Sequence, residues 1–220
     1  MLIIFDLDDT LIDTSGSITP FQMKRVLADI FVTKRFEGTF QEIFNDLLNL
    51  DKKCASARDT LKIFFRKYNI DQSHYLASID KIYGDIPEEC KIFTVPQALE
   101  TIELLSKTHT LAIVTAGDPK IQLYKLEKAG MDRSFFCKID VSSTLDKKKY
   151  FESLIKDFSL KSEDVLVCGD KINIDLIPAK ELGCKTVLMQ WGRGKNQLID
   201  KSVDFKIASL PELYKILEEL

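Results

Sequence analysis

The chain has 220 residues, enough for one large α/β domain or two small ones with a buried core. It is 45% hydrophobic and 30% charged, as globular proteins are, and its formal net charge of −3 excludes a broad attraction to nucleic acid or to an anionic membrane. Five cysteines with no C-x-x-C spacing and only two histidines argue against a zinc site or a disulfide scaffold, and no apolar run approaches the roughly 18 residues of a membrane helix. Asp6 interrupts the only apolar N-terminal run, so no signal peptide is expected, and a cytoplasmic location follows as the default.

The first predicted element is a buried parallel strand, Ile3-Ile4-Phe5, which runs directly into Asp6-Leu7-Asp8-Asp9-Thr10. A strand delivers its last side chains to the sheet edge, where ligands bind in open α/β sheets. Asp6 and Asp8 are two residues apart and point the same way in an extended chain. Two converging carboxylates repel each other unless a cation lies between them, and Mg²⁺ prefers oxygen ligands. Asp13-Thr14-Ser15-Gly16-Ser17 then has turn chemistry. Four helical stripes follow: Val26, Leu27, Ile30 and Phe31; Ile43, Phe44, Leu47 and Leu48; Leu61, Phe64, Phe65 and Tyr68; Leu76, Ile79, Ile82 and Tyr83. They predict a small bundle over residues 15–86, its many Phe residues filling the core.

From residue 87 the pattern alternates between helix and strand, which predicts a parallel sheet. Pro96 precedes a helix carrying Leu99, Ile102 and Leu105, and Leu111–Val114 is a strand ending at Thr115. Asp118-Pro119 opens a helix that closes at Gly130, and Phe135–Ile139 is a short strand. Asp146 caps a helix with Phe151, Leu154, Ile155 and Phe158 inward. Val165–Cys168 is a strand ending in Gly169-Asp170, with Asp175 five residues on. A short helix over Ile177–Leu182, a strand over Thr186–Met189, a weak one over Phe205–Ile207 and a capping box at Ser209-x-x-Glu212 complete the chain. The fold class is therefore α/β: a Rossmann-like, three-layer parallel sheet core (1–14 and 87–220) with an α-helical domain inserted after the first strand. Insertions of this kind commonly act as lids.

Four strand ends thus bring polar groups suited to one reaction: Asp6 and Asp8, Thr115, a lysine from Lys147-Lys148-Lys149, and Asp170 with Asp175. Each alone reads as a turn or a solvated face; their joint order does not. This constellation resembles the haloacid dehalogenase-like hydrolases, phosphatase branch, with a helical cap after the first strand. The resemblance covers essentially the whole chain. It implies that Asp6 attacks phosphorus to form an aspartyl-phosphate, and that Asp8 protonates the leaving oxygen and then accepts a proton from water. It implies Mg²⁺ held by Asp6, the Asp8 backbone carbonyl and Asp170, with Asp175 orienting metal-bound water or the lysine. Thr115 and Lys147 would hold phosphoryl oxygens, with Lys148 and Lys149 as alternatives to Lys147. An Asp at position 8 implies a small-molecule phosphate monoester as substrate; a sugar phosphomutase, a non-catalytic phosphometabolite-binding protein and an adaptor binding through the Phe-rich helices are the competing readings. Trp191-Gly192-Arg193-Gly194-Lys195 reads either as an anion cradle or as a plain turn, and Lys24 and Arg25 either as substrate contacts or as solvated residues.

Overall fold

A computed structural model describes residues 1–220. The chain forms two compact units, Ser15–Lys91 and Met1–Thr14 with Ile92–Leu220.

The Ser15–Lys91 unit holds four helices: α1 (Thr19–Thr33), α2 (Phe40–Asp51), α3 (Ala57–Lys67) and α4 (Ser73–Tyr83). Their starts follow from local chemistry. Thr39 and Glu42 form a reciprocal capping box on α2, and the Ser56 side chain accepts from the Asp59 N–H at the start of α3. The core is built on Met23, Leu27, Leu47, Leu61, Phe64 and Phe65, all fully buried. Phe31 stacks on Phe36 with centroids 4.5 Å apart, and Phe40 packs against both Phe31 and Phe44. The aromatic enrichment is therefore spent inside the unit. Two expected core residues are not core: Leu76 and Tyr83 are exposed. The buried stripe of α4 is Ser78, Ile79 and Ile82 with Tyr75 against it, and at 100° per residue Leu76 and Tyr83 lie roughly a quarter turn away.

The other unit is a sheet of six parallel strands in the order β3-β2-β1-β4-β5-β6. The strands are β1 (Leu2–Phe5), β2 (Thr110–Ala116), β3 (Phe136–Ser142), β4 (Val165–Gly169), β5 (Lys185–Met189) and β6 (Phe205–Ile207). The flanking helices are α5 (Ala98–Ser106), α6 (Pro119–Lys128), α7 (Lys148–Asp157), α8 (Ile177–Glu181) and α9 (Glu212–Glu219). All four residues of β1 are fully buried, as a central strand covered on both faces must be. Phe151 and Leu154 of α7 and Ala179 of α8 cover Leu2, Ile4, Val114 and Val167 on one face.

Three details depart from the sequence reading. Leu99 is exposed because the buried stripe of α5 is Ala98, Thr101, Ile102 and Leu105; Phe158 is exposed because it lies past the end of α7. The capping box before α9 is one-sided. The Glu212 carboxylate accepts from the N–H groups of Ala208 and Ser209, but the helix starts two residues later than a Ser209 cap requires.

Strand β1 pairs with β2 on one side and β4 on the other, so chain direction across the sheet reverses beside it. That is the position at which open α/β sheets form a crevice beyond the strand ends. The segment after β1 folds back tightly there. The Leu7 carbonyl accepts from the N–H groups of Leu11 and Ile12, and Asp9 adopts a left-handed φ of 58°.

Candidate active site

Asp6 follows β1 directly, and its N–H donates to the Cys168 carbonyl of β4 at 2.9 Å. Asp170 follows β4, and Thr115 is the penultimate residue of β2. The adjacency of β2, β1 and β4 therefore places three of the expected residues along one edge. Lys147, just before α7, reaches across the edge from the side: its Nζ donates to Asp6 Oδ1 at 2.5 Å and to Asp175 Oδ1 at 2.6 Å. Lys148 instead pairs with exposed Glu181, and Lys149 lies over the Tyr150 ring. Of the three lysines, 147 alone enters the carboxylate cluster.

Asp175 sits in a π-helical turn (Ile172–Leu176) that folds its side chain back onto β4. Its Oδ2 accepts from the Lys171 N–H at 3.0 Å. A Cβ at Gly169 would lie 2.5 Å from the same oxygen, so the residue at 169 can only be glycine if Asp175 is to stay. Gly194 is needed for a similar reason. A Cβ there would lie 2.3 Å from the Met189 carbonyl and 3.0 Å from the Asp170 carbonyl. The Trp191–Lys195 segment thus packs against the Asp170 backbone, and Trp191 Nε1 donates to Asp13 at 2.8 Å.

Burial dominates the electrostatics. It pushes the Asp6 carboxyl up to about 6 against the pull of Lys147, and the charge of Asp175 pushes the same way as burial. Asp170 is raised well above the ordinary carboxylate range, chiefly by burial, and neither of its carboxylate oxygens has a donor. Lys147 keeps its proton firmly: burial opposes the charge, but Asp175 and Asp6 more than compensate. Asp8 behaves oppositely to Asp6. Burial would raise it, but Lys125, Thr14 and Gln122 hold it well below the ordinary range, so its carboxylate is ionised as folded.

Lys125, Gln122, Thr14 and Lys171 were not among the residues expected from the sequence. The signal for two of them was present. Gln122, Lys125 and Leu126 share the buried face of α6, and polar residues at core positions of an amphipathic helix mark a partner across the core.

A cation fits these residues. Carboxylate oxygens of Asp6, Asp170 and Asp175 lie within 4.8 Å of one another, and Asp170 is a buried acceptor pair lacking donors. An all-oxygen set of this kind suits Mg²⁺.

The sequence profile for haloacid dehalogenase-like hydrolases matches residues 3–189. The glyceraldehyde 3-phosphate phosphatase of Pyrococcus furiosus is 27% identical over 225 residues, covering 99% of this chain and 92% of that protein. The enzyme of the same name from Methanocaldococcus jannaschii is 28% identical over 228 residues, with 99% and 97% covered. Among solved structures, YfnB of Bacillus subtilis, determined with bound magnesium, superposes with a TM-score of 0.70 at 21% identity, covering 98% of this chain and 97% of that one. No helix here is long and apolar enough to cross a membrane.

Proposed function

The chain belongs to the haloacid dehalogenase-like hydrolase family, and we propose that it hydrolyses a small-molecule phosphate monoester with Asp6 as the nucleophile. The observation that carries this reading is the buried Asp6–Lys147–Asp175 bridge beside an Asp170 without donors. A lone structural ion pair would not need a second and third buried carboxylate, each costly to desolvate.

Asp6 attacks phosphorus, the bond from phosphorus to the leaving oxygen breaks, and that oxygen takes a proton from Asp8. Water then attacks the aspartyl-phosphate and gives its proton to Asp8, releasing phosphate and restoring Asp6. The water step leaves the proton on Asp8 only transiently, since Lys125, Thr14 and Gln122 favour its ionised form in the substrate-free fold. Thr115 and Lys147 hold phosphoryl oxygens, and Lys147 also keeps Asp6 and Asp175 oriented. Mg²⁺ would be held by Asp6, Asp170 and the Asp8 backbone carbonyl, with Asp175 behind them. When bound it supplies positive charge that offsets repulsion between the nucleophile and the phosphate. Asp6, Asp8, Asp9, Asp170 and Asp175 outnumber Lys125, Lys147 and Lys171, so a divalent cation would offset the excess negative charge that an anionic substrate meets.

The relatives' names make a three-carbon sugar phosphate the first substrate to test. The helical unit, inserted between β1 and α5, is assigned to substrate selection as a cap. The test is hydrolysis of p-nitrophenyl phosphate and of glyceraldehyde 3-phosphate, with Mg²⁺ and with chelator, by the wild type and Asp6→Asn. Metal-dependent turnover, abolished in the variant, is expected. Turnover of neither compound, or an active Asp6→Asn, refutes the reading.

A further inference from the structure

The helix after β2 does more than flank the sheet. It carries two buried polar side chains, one turn apart, to the Asp8 carboxylate. Lys125 Nζ lies 2.7 Å from Asp8 Oδ1 and 3.0 Å from Oδ2, and Gln122 Nε2 lies 3.0 Å from Oδ2. The Thr14 hydroxyl donates to Oδ1 as well. An ionised carboxylate offers about four acceptor sites, and these contacts, two to each oxygen, match that number.

We propose that Lys125 and Gln122 are positioning residues for Asp8, clamping its carboxylate in the one orientation that meets the leaving oxygen and then the attacking water. This rests on the assignment of Asp8 as proton donor and acceptor. Two features separate the clamp from a pair that merely steadies the fold. First, the buried partners lie behind Asp8: Gln122 is buried and the Lys125 side chain is 10% exposed, whereas the Asp8 side chain keeps 24% of its surface open. The clamp thus leaves an accessible edge for a reactant. Second, Gln122 Nε2 is also 2.7 Å from Thr115 Oγ1, so one amide sets the proton carrier and the phosphate-holding hydroxyl relative to each other. The clamp is itself rigid: Asp118 caps α6 through the N–H of Lys120, and Pro119 lies in its first turn. Displacing a reacting group by about 1 Å costs roughly 10²-fold in rate.

The experiment measures kcat/KM for phenyl phosphate, a poor leaving group, and p-nitrophenyl phosphate, a good one, in wild type, Lys125→Met, Lys125→Arg, Gln122→Met and Asp8→Asn. A displaced proton donor matters most for the poor leaving group. Lys125→Met is expected to lose about 10²-fold on phenyl phosphate but less than about 10-fold on p-nitrophenyl phosphate. Gln122→Met, which keeps the net charge, shifts the same ratio by about 10-fold, and Lys125→Arg recovers part of the loss. A structural defect alone lowers both substrates in proportion. Proportional losses in Lys125→Met and Gln122→Met, or no loss in either, overturn the proposal. If Asp8→Asn shows the selective loss and neither α6 variant does, only the clamp is refuted. If Asp8→Asn shows no selective loss, the acid–base assignment of Asp8 falls and the clamp falls with it.

Discussion

Replacing Asp170 by Asn should make the metal-free protein more stable and the enzyme inactive. Both Asp170 oxygens are buried without a donor, and burial raises the carboxyl well above its ordinary range. An ionised carboxylate in that position costs several kcal/mol, and a buried amide with imperfect partners costs about 1–3, so the exchange gains about 1–3 kcal/mol. For a chain of this length that raises Tm by roughly 2–12 °C. The sign of the pH dependence follows. Groups whose folded pKa is raised bind more protons folded than unfolded, so metal-free stability falls as pH climbs above the ordinary carboxylate value. Asp6, moved from 3.8 to about 6, accounts for about 3 kcal/mol of this decline, and Asp170 adds to it in the same direction. Mg²⁺ reverses the order of the two proteins: at 100 times its Kd a ligand stabilises by about 2.7 kcal/mol, or roughly 5–11 °C here. Thermal unfolding at pH 7.5, in chelator and in Mg²⁺, tests the argument. Asp170→Asn should melt above the wild type in chelator and show little metal-dependent shift. A variant that melts lower in chelator, or an equal Mg²⁺ shift in both proteins, contradicts it.

Three further outcomes are expected. Lys147→Met should reduce phosphatase kcat by about 10²–10³-fold, whereas Lys148→Met, which loses only an exposed pair with Glu181, should stay within about 2-fold; similar losses in both would mean the wrong lysine has been assigned. Gly169→Ala places a methyl 2.5 Å from the Asp175 carboxylate and should cost about 1–3 kcal/mol together with most activity, while Gly130→Ala, with no neighbour within 4 Å but a φ of +74°, should lose about 1 kcal/mol and keep its kcat; denaturant unfolding and steady-state assays separate them. Asp204 is depressed because Lys180 and the Thr186 N–H and hydroxyl outweigh its burial, so its contribution is present above the ordinary value of 3.8 and fades as pH falls through the lower folded value. Asp204→Asn should therefore be less stable than the wild type at pH 7, with the difference shrinking toward pH 3; a constant difference across that range would contradict the assignment.

The strand-end carboxylates were legible because their geometry is local. An apolar run long enough to be a buried strand, followed at once by Asp6 and Asp8 or by Gly169 and Asp170, fixes both the element and the end of it on which the acids lie. The α/β class and the four inserted helices were legible for the same reason, since hydrophobic period reports which face of an element is buried. Period resolves that face only coarsely, so Leu76, Tyr83 and Leu99, each about a quarter turn off the stripe, fit the helical pattern yet lie outside the core. Period is also silent about what a buried polar side chain meets. Lys125 and Asp8 are 117 residues apart, and only the packing of α6 against the segment after β1 brings them to 2.7 Å. The choice among Lys147, Lys148 and Lys149 was open in the sequence because adjacent residues at a helix start are chemically alike; in the fold, of three directions about 100° apart, that of Lys147 alone points into the carboxylates. The sequence by itself determined the strands and the ends of them at which the carboxylates gather. The order of the strands and the register of two helices decided which side chains hold them in place.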